Sequence, residues 1–123
     1  SLLYLIPAVK GVEFGAGFAL AETYGSLAND PLCLKDGKVV LGKNDAGGIN
    51  GGLTNGAPVT MAVAVRPTPS IGKKQHSVDL VKKEEREIEI KGRHDACIVP
   101  RAVPVIEAAA AIAVLDAILE EER

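Results

Sequence analysis

Two short segments of the chain combine residue types that could bind an anion and accept a proton. The first, Arg66-Pro67-Thr68-Pro69-Ser70, follows a glycine-rich stretch. Its cation, its two hydroxyl groups and its proline-stiffened backbone are the components of a phosphate-binding turn. No Walker A or dinucleotide-binding glycine pattern occurs, so neither of those nucleotide sites is predicted. On this pattern alone, an ordinary turn between two strands is the favoured interpretation.

The second segment is Gly92-Arg93-His94-Asp95. In an extended chain Arg93 and Asp95 would lie on one face and His94 on the other. A carboxylate beside a guanidinium suits a hydrogen-bond or proton acceptor, although a purely structural Arg–Asp pair explains the pattern equally well. His94 alone is more typical of a partly buried structural histidine. His76 lies among lysines, and without a third ligand no metal site is predicted.

The elements before these segments are short. Leu2 to Phe14 predicts a strand kinked at Pro7 and Gly11, and the spacing of apolar residues from Phe18 to Leu27 predicts a helix. Asn29-Asp30-Pro31 should end that helix, because the residue before proline is disfavoured in the α region. The Asp36-Gly37 dipeptide predicts a hairpin. Six of the thirteen glycines lie between Gly42 and Gly56, which predicts a loop.

The later elements are more regular. Pro58 to Arg66 alternates large and small apolar residues, which predicts a strand covered on both faces. Arg86 to Lys91 alternates charge with Ile and predicts a strand with one wet face. Val105 to Glu121 predicts a helix that is apolar nearly all round and buried between layers, with a solvated end at 120–123. The resulting class is α+β, with helices covering sheets.

Composition excludes several classes of protein. With 123 residues, 47% hydrophobic and 24% charged, one globular domain is expected and long disorder is not. A net charge of −2 and few aromatic residues argue against nucleic-acid binding. Val105 to Leu119 falls short of the roughly 18–20 residues of a membrane span. Cys33 and Cys97 are expected to be reduced and buried, as in the cytoplasm. The start resembles a cut edge, not a signal peptide.

Four longer motifs, in order along the chain, resemble the chorismate synthase family, specifically its C-terminal part, with the N-terminal part expected to be absent. They are Ile6–Phe18 (IPAVKGVEFGAGF), Ala46–Gly52 (AGGINGG), Arg66–Gly72 (RPTPSIG) and Gly92–Pro104 (GRHDACIVPRAVP). The resemblance implies conversion of 5-enolpyruvylshikimate-3-phosphate to chorismate and phosphate, by a 1,4-anti elimination in the shikimate pathway. It also implies a need for reduced FMN without net redox change. The family's fold is a sandwich of helices between antiparallel sheets, usually assembled as a homotetramer.

The resemblance also implies roles for individual residues. The positions that match FMN-binding residues of the family are Gly51, Arg66, Pro67, Thr68, Pro69, Ser70 and Arg93. Asp95 matches the catalytic acid placed near the flavin N5. Three positions depart from the family: Arg66 replaces a usual Lys, Asp45 a common Arg and Ala96 a common Pro.

The family's two functional histidines and several substrate-binding arginines belong to its N-terminal part. The 123 residues alone are therefore expected to bind FMN weakly and to catalyse nothing. A scaffold for oligomerisation and a general anion-binding module remain as alternatives. Whether NADPH reduces the flavin on the enzyme or reduced flavin is borrowed stays open at this point.

Overall fold

The structure, a computed structural model, describes residues 2–121. The described chain forms two compact units, and the expectation of a single domain stays a prediction. The first holds residues 3–65 and the second holds residues 66–121 together with Leu2. Helices and antiparallel hairpins occur along the same chain, so the predicted α+β class is confirmed.

The longest sheet of the first unit is a pair of antiparallel strands. Strand β1, Val9–Phe14, pairs with β6, Met61–Val65, and an irregularity between Val9 and Gly11 shifts the register. The predicted kinked strand therefore exists only from Val9 onward, because a 3-10 helix, Leu2–Leu5, takes up its first part. Val9 is 7% exposed and is one of two buried hydrophobic residues in the described chain.

The helix predicted between Phe18 and Leu27 is broken into two pieces. A 3-10 helix, Gly17–Glu22, is followed by a single turn of α-helix, α1, Gly25–Ala28. Between them Thr23 has φ −109° and ψ 136°, and Tyr24 is also extended, so the intrahelical hydrogen bonds cannot continue. The predicted end of the helix is confirmed, since Asn29 caps α1 in an extended conformation.

Two tight hairpins follow α1. Strands β2, Leu32–Lys35, and β3, Lys38–Leu41, flank the predicted Asp36-Gly37 turn, in which both residues have positive φ. Positive φ at both central positions is the type I′ arrangement that suits strand twist. The glycine-rich stretch was expected to be loop throughout, but it contains a second hairpin of this kind. Its strands are β4, Ile49–Asn50, and β5, Leu53–Thr54.

The second unit contains one hairpin and one long helix. Strand β7, Gln75–Asp79, pairs with β8, Glu84–Ile88. The prediction of a strand over Arg86 to Lys91 with one dry face is therefore wrong in its bounds, and every residue of β8 is exposed. Asp79 shapes the connecting turn, because its Oδ1 accepts the backbone N–H groups of Val81 and Lys82 at 3.0 Å each.

Helix α2, Val99–Glu121, starts earlier than predicted and includes Pro104. Within residues 2–121 the helix is largely uncovered: Ala109 is its one buried residue among those described, and Ile112 is 60% exposed. Its burial between layers therefore stays a prediction. Both faces of β6 were likewise expected to be covered, but Ala62 and Ala64 are exposed.

At 23 residues, α2 is also long and apolar enough to cross a membrane, by length and composition only. The prediction that this stretch is too short is therefore wrong. Of the solvated end predicted at 120–123, Glu120 and Glu121 are exposed, and 122–123 lie outside the described residues.

Candidate functional site

The segment Arg66–Ser70 leaves the end of β6 and runs without regular secondary structure. Arg66 is exposed, and among residues 2–121 it forms no ion pair. The Thr68 Oγ1 atom is buried and has no hydrogen-bond partner in the described chain. A buried hydroxyl without a partner loses its hydration with no compensation, which costs roughly 1–3 kcal/mol. This segment thus offers an unused donor beside a free cation, as an anion-binding site requires.

His94 connects that segment to the second motif. Its Nε2 lies 2.8 Å from the carbonyl oxygen of Ile90, and its Nδ1 lies 3.3 Å from Ser70 Oγ. A carbonyl oxygen can only accept, so Nε2 carries a proton, and in the neutral ring Nδ1 accepts the hydroxyl proton of Ser70. The two predicted motifs are therefore brought together within the second unit. His94 is the residue that joins them, in agreement with the structural role predicted for it.

Asp95 forms a two-point ion pair, but not with the predicted partner. Its Oδ1 accepts from Arg101 Nη2 at 2.8 Å, and its Oδ2 accepts from Arg101 Nη1 at 3.2 Å. Arg93 is exposed and forms no ion pair within the described range. Arg101 could not be found from neighbouring residue types, because it lies six residues after Asp95. Helix α2 begins at Val99 and not at the predicted Val105, and this earlier start turns Arg101 back toward Asp95.

Gly51 lies in the other unit, in the β4–β5 turn. Its φ is +58°, and a Cβ atom added there would meet nothing within 4 Å. Glycine is therefore explained locally by the backbone conformation, not by crowding. The expectation that Gly51 shares a site with Arg66–Ser70, Arg93 and Asp95 stays a prediction.

Asp30 organises the loop that leads to the glycine-rich hairpin, a role that sequence analysis missed by treating it only as a helix stop. Its carboxylate accepts the backbone N–H of Asp45 at 2.8 Å and that of Ala46 at 2.9 Å. These contacts lower the pKa of Asp30 below its ordinary value of 3.8, and the N–H of Ala46 contributes most. The N–H of Asp45 and the ammonium group of Lys43 lower the pKa further, whereas partial burial of the carboxylate raises it. Lys43 also forms an ion pair with Asp45.

The backbone of the same loop is packed directly against the end of β1. Gly47 and Gly48 are buried, and Ala16 N–H donates to the Asp45 carbonyl at 2.9 Å. A Cβ atom at Gly15 would lie 2.0 Å from the Asp45 carbonyl oxygen, and one at Gly47 would lie 2.3 Å from the Gly15 nitrogen. Such contacts are impossible for a side chain, so the close approach requires glycine on both sides.

Other candidate sites are weaker. A cavity of about 270 Å³ is lined by His76 and its neighbours on the β7–β8 hairpin. Another of about 530 Å³ lies between the β2–β3 hairpin and the 55–58 segment. Neither cavity is lined by a predicted site residue.

Across residues 2–121, no three His, Cys, Asp or Glu side chains are grouped to hold a metal ion. Both cysteines are free and exposed, so their predicted burial is wrong.

The residues of the second unit fit a phosphorylated cofactor. The unpartnered Thr68 hydroxyl and the exposed guanidinium groups of Arg66 and Arg93 match the hydrogen-bonding and charge requirements of a phosphate group. The Asp95 carboxylate uses one contact on each oxygen, and a carboxylate has lone pairs for about four. It can therefore accept a further hydrogen bond from a ligand.

Comparisons with known proteins agree on one family. The chorismate synthase family model matches residues 1–119. The chain is 58% identical over 114 residues to the chorismate synthase of Archaeoglobus fulgidus, covering 93% of this chain and 32% of that protein. It is 54% identical over 119 residues to that of Thermococcus kodakarensis, covering 97% and 34% respectively. The chain thus spans about a third of the length of these curated relatives.

A solved structure supports the same relationship. A crystal structure of chorismate synthase aligns with a TM-score of 0.51 and 40% identity, covering 56% of this chain and 21% of that one. The family resemblance drawn from the four motifs is confirmed. The expectation that the chain corresponds to the C-terminal part of these relatives is not confirmed by the matches.

Proposed function

The chain belongs to the chorismate synthase family, and from this premise we propose that the protein carrying it converts 5-enolpyruvylshikimate-3-phosphate to chorismate and phosphate. The reaction is a 1,4-anti elimination that depends on reduced FMN. The observation that carries the proposal for this part of the molecule is the Ser70–His94 contact. It joins the anion-binding segment to the segment that presents Asp95.

The proposed work of the Arg66–Ser70 segment is to bind phosphate. Thr68 donates its free hydroxyl, and Arg66 and Arg93 supply positive charge, so that the anion is held by charge-assisted hydrogen bonds. Ser70 has a different task, because its proton is engaged by His94. It therefore offers lone pairs to an N–H or O–H group of the ligand.

The proposed work of Asp95 is to hold a proton or hydrogen bond at the flavin N5. Reduced FMN, when bound, supplies the electron-rich ring whose N5 can take up the hydrogen lost from the substrate. Arg93 anchors the cofactor beside Asp95, and the arginines that the rest of the protein supplies stabilise the charge that develops on the departing phosphate of the substrate. The 123 residues supply only part of this site, so they are inactive alone.

The proposed architecture follows the same family. Helix α2 and its apolar side chains are covered in the assembled protein, as one helical layer between antiparallel sheets of a homotetramer. The extensive exposure of α2, with Leu115 56% exposed, supports this arrangement. A cytoplasmic location goes with this function, and NADPH or an external reductase supplies the reducing equivalents.

The deciding experiment replaces Asp95 in the complete protein. Asp95→Asn keeps the shape of the side chain but removes its charge and its basicity. We expect FMN affinity within about twofold of the unsubstituted protein and a turnover lowered by about 100-fold or more, in the range of a lost acid–base group. Chorismate formation under anaerobic conditions with reduced FMN, and FMN titration, measure the two quantities.

The matched control is Asp36→Asn. Asp36 is equally a surface aspartate, but it lies in the β2–β3 turn with φ +53°, a conformation that Asn tolerates. Its turnover should be unchanged. Near-normal turnover of Asp95→Asn would rule out the role of Asp95, and absence of chorismate formation by the complete unsubstituted protein would rule out the proposed function.

A further inference from the structure

Arg101 holds Asp95 by both oxygens of its carboxylate. The two contacts, 2.8 and 3.2 Å, use two different guanidinium nitrogens. The pair is open to solvent, with side chains 75% exposed for Arg101 and 45% for Asp95. Exposed ion pairs add little to folding stability. A two-point contact nevertheless fixes the plane of a carboxylate, since a planar guanidinium matches its geometry.

The position of Arg101 on its helix argues against a role in helix stability. Arg101 lies in the first turn of α2, which contains no acidic residue. The N-terminal end of a helix carries a partial positive charge, so a cation there is unfavourable by about 0.3–1 kcal/mol. Asp95, outside the helix, offsets this cost. The backbone N–H of Arg101 donates to the Ile98 carbonyl at 3.1 Å, which anchors the residue to the helix start.

We propose that Arg101 is a positioning residue that sets the orientation of the Asp95 carboxylate toward the reacting centre. This inference rests on the proposed function of Asp95. His94 fastens the same segment from its other side, through Ile90 and Ser70. Asp95 is thus held by a side chain from the start of a 23-residue helix, and the lone pairs that Arg101 does not use stay available to a ligand.

The test begins with two substitutions at Arg101 in the complete protein. Arg101→Met removes the charge and both donors but keeps an apolar stem of similar length. Because misplacing a catalytic group by about 1 Å can cost 10²-fold, we expect kcat to fall by about 10- to 100-fold. KM for the phosphorylated substrate and FMN affinity should stay within about twofold. Arg101→Lys restores charge without the two-point contact, and its kcat should remain at least about fivefold low.

A double-substitution cycle separates positioning from a general structural effect. If Arg101 acts through Asp95, then Arg101→Met should lower kcat no further in the Asp95→Asn background. The matched control is Arg86→Met. Arg86 is 70% exposed and makes a single 3.8 Å contact with Asp79 on the β7–β8 hairpin, so kcat should be unchanged.

Several results would overturn the inference. The first is a normal kcat in the Arg101→Met protein, and the second is full recovery of kcat in the Arg101→Lys protein. The third is an equal loss of kcat from Arg101→Met whether residue 95 is Asp or Asn. The fourth is a loss of FMN affinity without a loss of kcat. If Arg101→Met fails to fold, the Arg101→Lys comparison decides alone. If the Asp95→Asn protein has normal turnover, the proposed role of Asp95 itself is overturned. If the Asp95→Asn protein is slow and the Arg101→Met protein has a normal kcat, only the role of Arg101 is overturned.

Discussion

At the scale of single residues, the chemistry of this chain was visible in its sequence but the partners were not. Arg66–Ser70 and Gly92–Asp95 were selected by residue type, and the contact between Ser70 and His94 brings them together. Asp95, however, pairs with Arg101 and not with Arg93. Alternation along an extended strand is a poor guide where the backbone bends, as it does on entering α2.

The clearest prediction for a single residue concerns Asp30. Its pKa is below the usual 3.8, chiefly because the Ala46 N–H donates to the carboxylate. When the folded-state pKa is the lower one, the stabilisation is complete above the unfolded-state pKa and is lost as pH falls through the folded-state pKa. We therefore expect the 43–48 loop to be held by Asp30 at pH 6 and to loosen below about pH 4.

Hydrogen exchange of the complete protein, corrected for intrinsic rates, measures this effect. The amides of Asp45 and Ala46 should lose protection progressively as the pH falls below about 4, and Asp30→Asn should weaken their protection already at pH 6. Asp36→Asn serves as the control, because the Asp36 carboxylate contacts neither the Asp45 amide nor the Ala46 amide. Unchanged protection in Asp30→Asn would show that the carboxylate does not hold the loop.

At the scale of elements, the sequence predicted well what short-range rules determine. The Asp36-Gly37 hairpin and the end of α1 at Asn29 were both located correctly. The helix over Phe18 to Leu27 was wrong because apolar spacing does not register the extended Thr23 and Tyr24. The Gly51-Gly52 hairpin was missed because its strands are only two residues long and carry no detectable alternation.

The two type I′ turns provide a matched pair of substitutions. Gly51 and Gly37 both have positive φ and free space around a Cβ, so Asn at either position should be tolerated by the backbone. We expect Tm of the complete protein to change by no more than about 2 °C for each. Gly51→Asn should weaken FMN binding about tenfold, or about 1.4 kcal/mol, whereas Gly37→Asn should not.

Thermal unfolding and FMN titration of the two variants give the measurement. The expected difference follows from the family resemblance, in which Gly51 matches an FMN-binding position and Gly37 does not. Equal FMN affinities, with both variants folded, would make Gly51 a turn residue and nothing more.

At the scale of the whole molecule, burial was predicted least well. The apolar pattern of α2 correctly predicted a helix, but its exposure could not be foreseen, because burial depends on which other chain segments are present. Only Val9 and Ala109 are buried hydrophobic residues among those described. Apolar surface of this extent is typically covered by another surface.

The 123-residue chain by itself should therefore associate through α2. Ile112 and Leu115 are 60% and 56% exposed and lie one turn apart, so they present one continuous apolar strip. Sedimentation velocity at tens of micromolar should show oligomers, and the double substitution Ile112→Glu with Leu115→Glu should shift them toward monomer. Leu80→Glu with Val81→Glu, at an exposed hairpin tip, should not. A monomeric unsubstituted chain would contradict this expectation.

The junction between the end of β1 and the 45–48 loop limits which residues this region can accept. There the polypeptide touches itself main chain to main chain, with Gly15 and Gly47 too close for any Cβ atom. Neither glycine carries a reactive group, so the junction contributes no chemistry of its own. Yet the tolerance of the region to amino-acid change is set there, by the absence of a methyl group.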